Sequence, residues 1–191
     1  MQKMQSENLT TMPKSAHNER RTEIRNFLEK IVIDAGVGRL SQLPNFEEKA
    51  LVQVMRDLAA MTGQKAQFRR AKKSIAGFKI RENQIVGVRV TLRREKMVDF
   101  FERLITIVLP RVRDFRGINR TAIDSHGVLT VGVRDQFVFP EIEPEQSQVA
   151  FSFGASIVPK KKDAKLSWEE FMKLGVPMKK EGKEVKKKGK K

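Results

Sequence analysis

The sequence predicts an α+β fold: a largely antiparallel sheet with helices packed on one face, followed by a disordered basic C-terminal tail. Three observations predict it. Val86, Val88, Val90 and Leu92 alternate with Gly87, Arg89, Thr91 and Arg93, the pattern of a half-buried strand. Phe46, Ala50, Leu51, Val54, Met55, Leu58 and Met61 recur at helical spacing, the pattern of a helix with one face on a core. The order of elements (strand, helix, basic loop, strand, helix, strand, strand, short helix) is not the regular βα alternation that a parallel sheet requires.

Taken in order, residues 1–22 are polar, lack an apolar period and read as a mobile leader. Phe27 to Ile33 is rich in branched side chains and leads into AGVG, a strand ending in a glycine turn. The first helix is expected to be capped by Asn45, with Glu48 three residues on, and to stop at Gly63 in the left-handed region. A basic loop containing Gly77 separates it from the strand at 86–92. From Glu95 to Leu109 a second helix lines up Met97, Phe100, Phe101, Leu104, Ile105 and Val108, and Pro110 is expected to end it. Residues 128–133 and 149–158 alternate again, the latter with Val149, Phe151, Phe153 and Ile157 on one face. Ser167 and Glu170 form a capping box for a short helix through Leu174, stopped by Gly175 and Pro177. The expected organisation is one α+β domain over 23–178, between the leader and a tail at 179–191.

Charge is the strongest compositional signal. The chain of 191 residues carries a net +16. The tail holds eight Lys and two Glu, too polar to bury a core, and serves equally as a solubilising appendage or as a neutraliser of phosphates. The remaining residues still carry +10. Between Lys65 and Arg81 all seven charges are positive, and Arg111, Arg113, Arg116 and Arg120 surround the lone Asp114. Ordinary surfaces intersperse both signs, so these inner runs mark a fold that binds polyanions.

Catalysis is poorly served. With no Cys and two His, the chain has no disulfide, thiol nucleophile or cysteine-built zinc site, and no metal or cofactor is expected. The glycines of GVG at 36–38 lack the third glycine of a dinucleotide loop, Ser41 standing there, and read as a tight turn. Asp124, Ser125 and His126 are adjacent in the chain, whereas a triad converges across a fold; they read as the polar turn before Gly127. No run approaches the roughly 20 apolar residues of a membrane helix, and the amino terminus lacks the core of a signal peptide, so a soluble cytoplasmic protein is expected.

Binding is well served by residues 64–83, QKAQFRRAKKSIAGFKIREN. Here cations can neutralise phosphates, Gly77 permits close backbone approach, and Phe68, Ile75 and Phe78 can pack against bases, riboses or protein. Phe68 reads as a core strand residue. Phe78, between Gly77 and Lys79, stays open between an exposed contact and packing.

At these residues the chain resembles a known family. TGQKAQFRRAKKSIAGFKIREN, GVRVTLRREKM, LPRVRDFRGIN and FPEI at 139–142 are similar, in that order, to the bacterial large-subunit ribosomal protein L-five family, which binds 5S rRNA. The resemblance covers about residues 27–158. It implies a non-catalytic place in the central protuberance, attaching 5S rRNA, touching 23S rRNA and neighbouring large-subunit proteins, reaching the elbow of the peptidyl-site tRNA, and bridging to a small-subunit head protein, on a cytoplasmic or organellar ribosome. It assigns 5S rRNA binding to Asp34, Gln64, Thr91, Arg89 and Arg93. Arg69, Arg70, Arg111, Arg113 and Arg116 become contacts to the rRNA backbone. The loop from Ala71 to Asn83 becomes the tRNA-contacting segment, through Lys72, Lys73, Ser74, Gly77, Phe78, Lys79 and Arg81, and its crowded charge predicts a mobile loop. The chain departs from the family in three places. Asp34 replaces the usual Asn and brings a negative charge toward phosphate, the leader does not follow the family's amino-terminal helix, and the Lys-rich tail extends past the usual end. The alternative is an extra-ribosomal RNA-binding or RNA-chaperone protein of the same fold.

Overall fold

Alternation drives the central strand. Leu28, Ile31, Ile33 and Ala35 of β1 (Leu28–Gly36) are buried while Lys30, Val32 and Asp34 are not. The computed structural model of the chain, which describes residues 14–42, 45–147 and 149–179, pairs β1 antiparallel with β3 (Ile85–Leu92) on one side and with β5 (Phe153–Pro159) on the other. The edges are β2 (Gln67–Arg70), paired with β3, and β4 (Leu129–Val133), paired with β5. The sheet order is β2-β3-β1-β5-β4, antiparallel throughout.

The apolar stripes read from the sequence cover one face of this sheet. Val54, Leu58 and Met61 of α2 (Leu51–Thr62) and Met97, Phe100 and Phe101 of α3 (Arg94–Arg103) are fully or almost fully buried against the inward strand residues. The Phe100 ring stacks on Phe139 at 5.9 Å, and Phe139 meets Phe153 at 5.7 Å, joining a helix to β5 through a loop aromatic. Burial of each such side chain is worth roughly 1.5–3 kcal/mol. The α+β class and the single covered face are as the sequence predicts.

Several local expectations are corrected. The polar segment before β1 is helical from Lys14: α1 (Lys14–Phe27) buries Ile24 fully and packs on α3. A further anchor is ionic: Arg21 donates to Asp99 at 2.6 Å and to Glu102 at 2.8 Å and also meets Glu95 at 3.3 Å. The hydrogen bond to Asp99 chiefly raises the Arg21 pKa, against a desolvation that lowers it. Thus a helix does precede β1; residues 1–13 lie outside the described residues.

The first long helix opens with a π-helical stretch, Phe46–Ala50, after Asn45 at φ 57°, whose side chain makes no cap. Gly63, at φ 64°, closes it as expected, its N–H donating to the Ala59 carbonyl at 2.8 Å. Pro110 does not end the second helix. The helix relaxes into a π stretch, Leu104–Val108, and Pro110 sits inside one more turn, α4 (Leu109–Arg111), the backbone becoming extended only at Val112.

On β3 the alternation slips at one end. A register shift opposite Arg69 and Arg70 buries Ile85 and leaves Val86 half-buried. Val149 precedes β5 instead of starting it, because its N–H and carbonyl are taken by the amides of Gln53 and Gln136. The last helix, α5 (Ala164–Lys173), is capped by Asp163, which accepts from the N–H groups of Lys165 and Leu166. Ser167 is instead buried within it, over Gly127. Lys179 still joins the domain, its N–H donating to the Ile118 carbonyl at 2.9 Å, and the tail from 180 to 191 lies outside the described residues.

Candidate nucleic-acid interface

The face of the sheet turned away from the helices carries a distinct set of residues. The strand registers line up Gln67, Arg89, Asp34, Gly154 and Gly132 in one row across all five strands. The next row runs Thr91, Val32, Ser156 and Thr130, and on the other side Arg69, Gly87 and Gly36 align. A methyl group added at Gly36, Gly132 or Gly154 would meet nothing within 4 Å. Neither these three nor Gly87 takes a left-handed φ. The fold therefore asks for glycine at none of the three, although glycine weakens a strand interior. Their shared effect is a low, flat surface over which another backbone can come close, edged by cations and hydroxyls.

Asp34 is not a bare negative charge on this surface. Its carboxylate accepts a hydrogen bond from Arg89 Nε across the β1–β3 ladder, both side chains being about half exposed. The pair carries no net charge and ties the Arg89 guanidinium to β1. Thr91, one pair along β3, is half-buried, and its hydroxyl has no partner among the described residues. Gln64 donates to the Thr91 backbone carbonyl at 3.1 Å, covering the edge of β3 just beyond the start of β2. Arg93 stands past the end of the strand, 3.6 Å from Glu29.

The two arginines of β2 part company. Arg69 lies opposite Gly87 on the open face, whereas Arg70 lies opposite buried Ile85 and points the other way. Phe68 is corrected likewise: opposite Val88 but at the sheet edge, it is 47% exposed and not a core residue.

The loop from Ala71 to Asn83 continues the β2–β3 hairpin. Ile75 and Ile80 exchange backbone hydrogen bonds at 2.9 and 3.2 Å, and the Glu82 N–H donates to Ser74 Oγ at 2.9 Å. The tip is a 3-10 turn, Ala76–Phe78, followed by Lys79 at φ 53°. Lys72, Lys73, Ser74, Gly77, Phe78, Lys79 and Arg81 are all exposed, Phe78 to 71%. An added Cβ at Gly77 meets nothing, so its glycine too answers to no internal demand. At the base, the Gln84 side-chain oxygen accepts from the Arg81 N–H at 2.8 Å while its nitrogen donates to Ser41 Oγ at 2.7 Å, and Ser41 Oγ donates to the Gly38 carbonyl. One amide thus ties the loop to the first glycine turn. Arg111, Arg113 and Arg116 form a separate exposed group at and beyond the end of the second helix, without ion pairs among the described residues, while Arg120 stacks over Trp168 at 5.6 Å.

Two family models cover most of the chain, one described as ribosomal protein L5 over residues 25–81 and one as the C-terminus of the same ribosomal family over residues 85–186. The chain belongs to the ribosomal protein L5 family. It is 47% identical over 150 residues to the large ribosomal subunit protein uL5 of Rubrobacter xylanophilus, spanning 78% of this chain and 81% of that protein. The uL5 proteins of Chlorobium luteolum and Fusobacterium nucleatum are each 42% identical, over 80% and 83% of this chain and 77% and 87% of their own lengths. The family is a structural, non-enzymatic component of the large ribosomal subunit. Among the described residues no group of acids and histidines could hold a metal, and no helix is long and apolar enough to cross a membrane.

For this uL5-family chain, sequence reasoning missed Gly132, Gly154, Ser156 and Gln67 on the open face. A signal existed for two of them. In LTVGV and FGAS the outward positions of otherwise regular strands include the residue least suited to a strand.

Proposed function

We propose that this large-subunit protein holds 5S rRNA on the open sheet face and the adjoining Gly36–Ser41 turn. The observation that carries this reading is the set of glycines under open space, Gly36, Gly132 and Gly154, on the face that carries Arg89, Arg69, Gln67 and Thr91. A phosphate backbone can settle against such a surface, with arginine forks and hydroxyls positioned beside it. In the same reading Asp34 sets the orientation of Arg89. Arg111, Arg113 and Arg116 contact 23S rRNA backbone, and the Ala71–Asn83 hairpin reaches the elbow of the peptidyl-site tRNA. The chain sits in the central protuberance of the cytoplasmic ribosome, beside other large-subunit proteins, and bridges to a small-subunit head protein.

One variant tests the division of labour. Replacing Ala71–Asn83 by a tight turn leaves 5S rRNA affinity nearly intact, while retention of peptidyl-site tRNA on assembled ribosomes falls. Loss of 5S binding with normal tRNA retention would reverse the assignment, and equal loss of both would make the hairpin part of the 5S site.

A further inference from the structure

We propose that Phe68 and Arg70 form a stacking site for one unpaired RNA base, on the side of edge strand β2 turned away from the glycine face. The inference rests on the RNA-binding function proposed above and adds to it a second, separate contact. Both residues lie opposite inward-facing members of β3, Phe68 against Val88 and Arg70 against Ile85. They project to the helix side, yet β2 is an edge strand with all four of its residues exposed, Phe68 to 47%.

Arg70 is held in place. Its guanidinium carbon sits 5.2 Å from the centre of the Phe68 ring, and its Nη1 donates to the Asn83 carbonyl at 2.8 Å. Asn83 is fixed in turn, at φ 64° with its N–H donating to the Ala71 carbonyl at 3.0 Å. No carboxylate among the described residues pairs with Arg70, so an exposed ring with a guanidinium over one of its faces and a positive charge stand together at the sheet edge.

Charge chooses the occupant. No acidic residue occurs between Gln64 and Arg81, and Lys65, Lys72 and Lys73, all exposed, stand close to the pair in the chain. That surface attracts a polyanion and repels a basic protein segment. A bare phosphate would gain nothing from the ring, whereas a nucleotide uses both parts, its base on the aromatic face and its phosphate on the arginine. Bases within a duplex already have their faces covered, so the ligand is unpaired, in a bulge, loop or single strand.

The test uses the full chain and a short oligoadenylate RNA carrying one 2-aminopurine, compared with the same RNA bearing an abasic residue there. The wild-type chain should quench the 2-aminopurine and prefer the base-bearing RNA by roughly fivefold or more, the weight of one base–aromatic stack. Phe68→Leu, which keeps apolar bulk and an unchanged circular dichroism spectrum, should lose both effects, and Phe68→Trp should keep them. Phe78→Leu, at the other exposed ring of the segment, should leave them intact. Quenching and preference that survive in Phe68→Leu, or that vanish in Phe78→Leu alone, overturn the proposal. So does a photocrosslinker at position 68 that captures a protein strand instead of RNA in assembled large subunits. Absent wild-type binding to 5S rRNA would defeat the function proposed above, while the oligoadenylate comparison would still decide this site.

Discussion

On β5, Phe153, Ala155 and Ile157 point into the core and are buried, while their immediate neighbours Gly154, Ser156 and Val158 are half-exposed. The same division runs through β1, β3 and β4. Inward positions are filled with large apolar side chains, Phe153 meeting Phe139, which in turn stacks on Phe100. Several outward positions are underfilled, with glycine, serine and threonine at Gly132, Gly154, Ser156, Thr91 and Thr130 where Val or Ile would strengthen the strands. The comparison teaches that inward identities answer to the chain itself and outward identities to whatever lies on the face. Stability and binding should therefore respond to different substitutions.

The inner face should break first. Phe100→Ala removes a fully buried ring and should cost about 3–5 kcal/mol of unfolding free energy, measured by chemical denaturation. Any fraction still folded should bind 5S rRNA normally, and an affinity loss without a stability loss would erase the division.

Gly154→Val inverts that result. A β-branched side chain in open space should hold or slightly raise stability, by less than about 1 kcal/mol. Binding of 5S rRNA should fall ten- to a hundredfold, about 1.4–2.8 kcal/mol. If a valine there is tolerated in binding, the glycine surface is not where RNA lies.

Thr91→Ala sharpens the comparison at a single group. It should weaken 5S binding by about 1 kcal/mol, seen in filter binding, with the fold unchanged because the hydroxyl has no partner among the described residues. Gln64→Ala should add a small stability loss, since it also frees the Thr91 carbonyl.

The smallest effect is expected at Asp34. Asp34→Asn should change stability by less than about 1 kcal/mol, as exposed ion pairs do, and release Arg89 to phosphate. Binding should strengthen modestly, and the salt dependence should steepen by roughly one phosphate, a slope increment near 0.7 to 0.9. An unchanged slope would mean that Arg89 stays clear of the RNA.

Elements with a strong internal period were legible in the sequence. Val88, Val90 and Leu92 gave β3 and its outward face, and Gly63 gave the end of α2, because in each a local rule and the tertiary demand agree. Illegible elements depend on distant partners. Among the described residues α1 has Ile24 and Phe27 as its apolar anchors, and its ionic anchor, Arg21 against Asp99 and Glu102, spans 78 and 81 residues of chain. Phe68 follows a strand pattern, but its exposure comes from the edge position of β2, which no local pattern reveals. Ser167 has the spacing of a cap, yet Asp163 lies nearer the true start of α5 and takes its N–H groups. In the candidate site, the charge of Asp34 was visible but its neutralisation by Arg89 needed the register of two strands separated by 55 positions.

The Gln84 amide has a mechanical consequence. The hairpin beyond β2 and β3 is a cantilever, rooted in one strand pair and loaded at its tip. With Gln84 bonded to the Arg81 N–H and to Ser41 Oγ, the beam gains a strut running to the turn after β1. A sideways push on Phe78 or Lys79 is then carried by shear between β2 and β3 and also by tension into the Gly36–Ser41 turn. Cutting the strut with Gln84→Ala leaves the beam on its root alone, free to swing about the Ala71–Gln84 hydrogen bond.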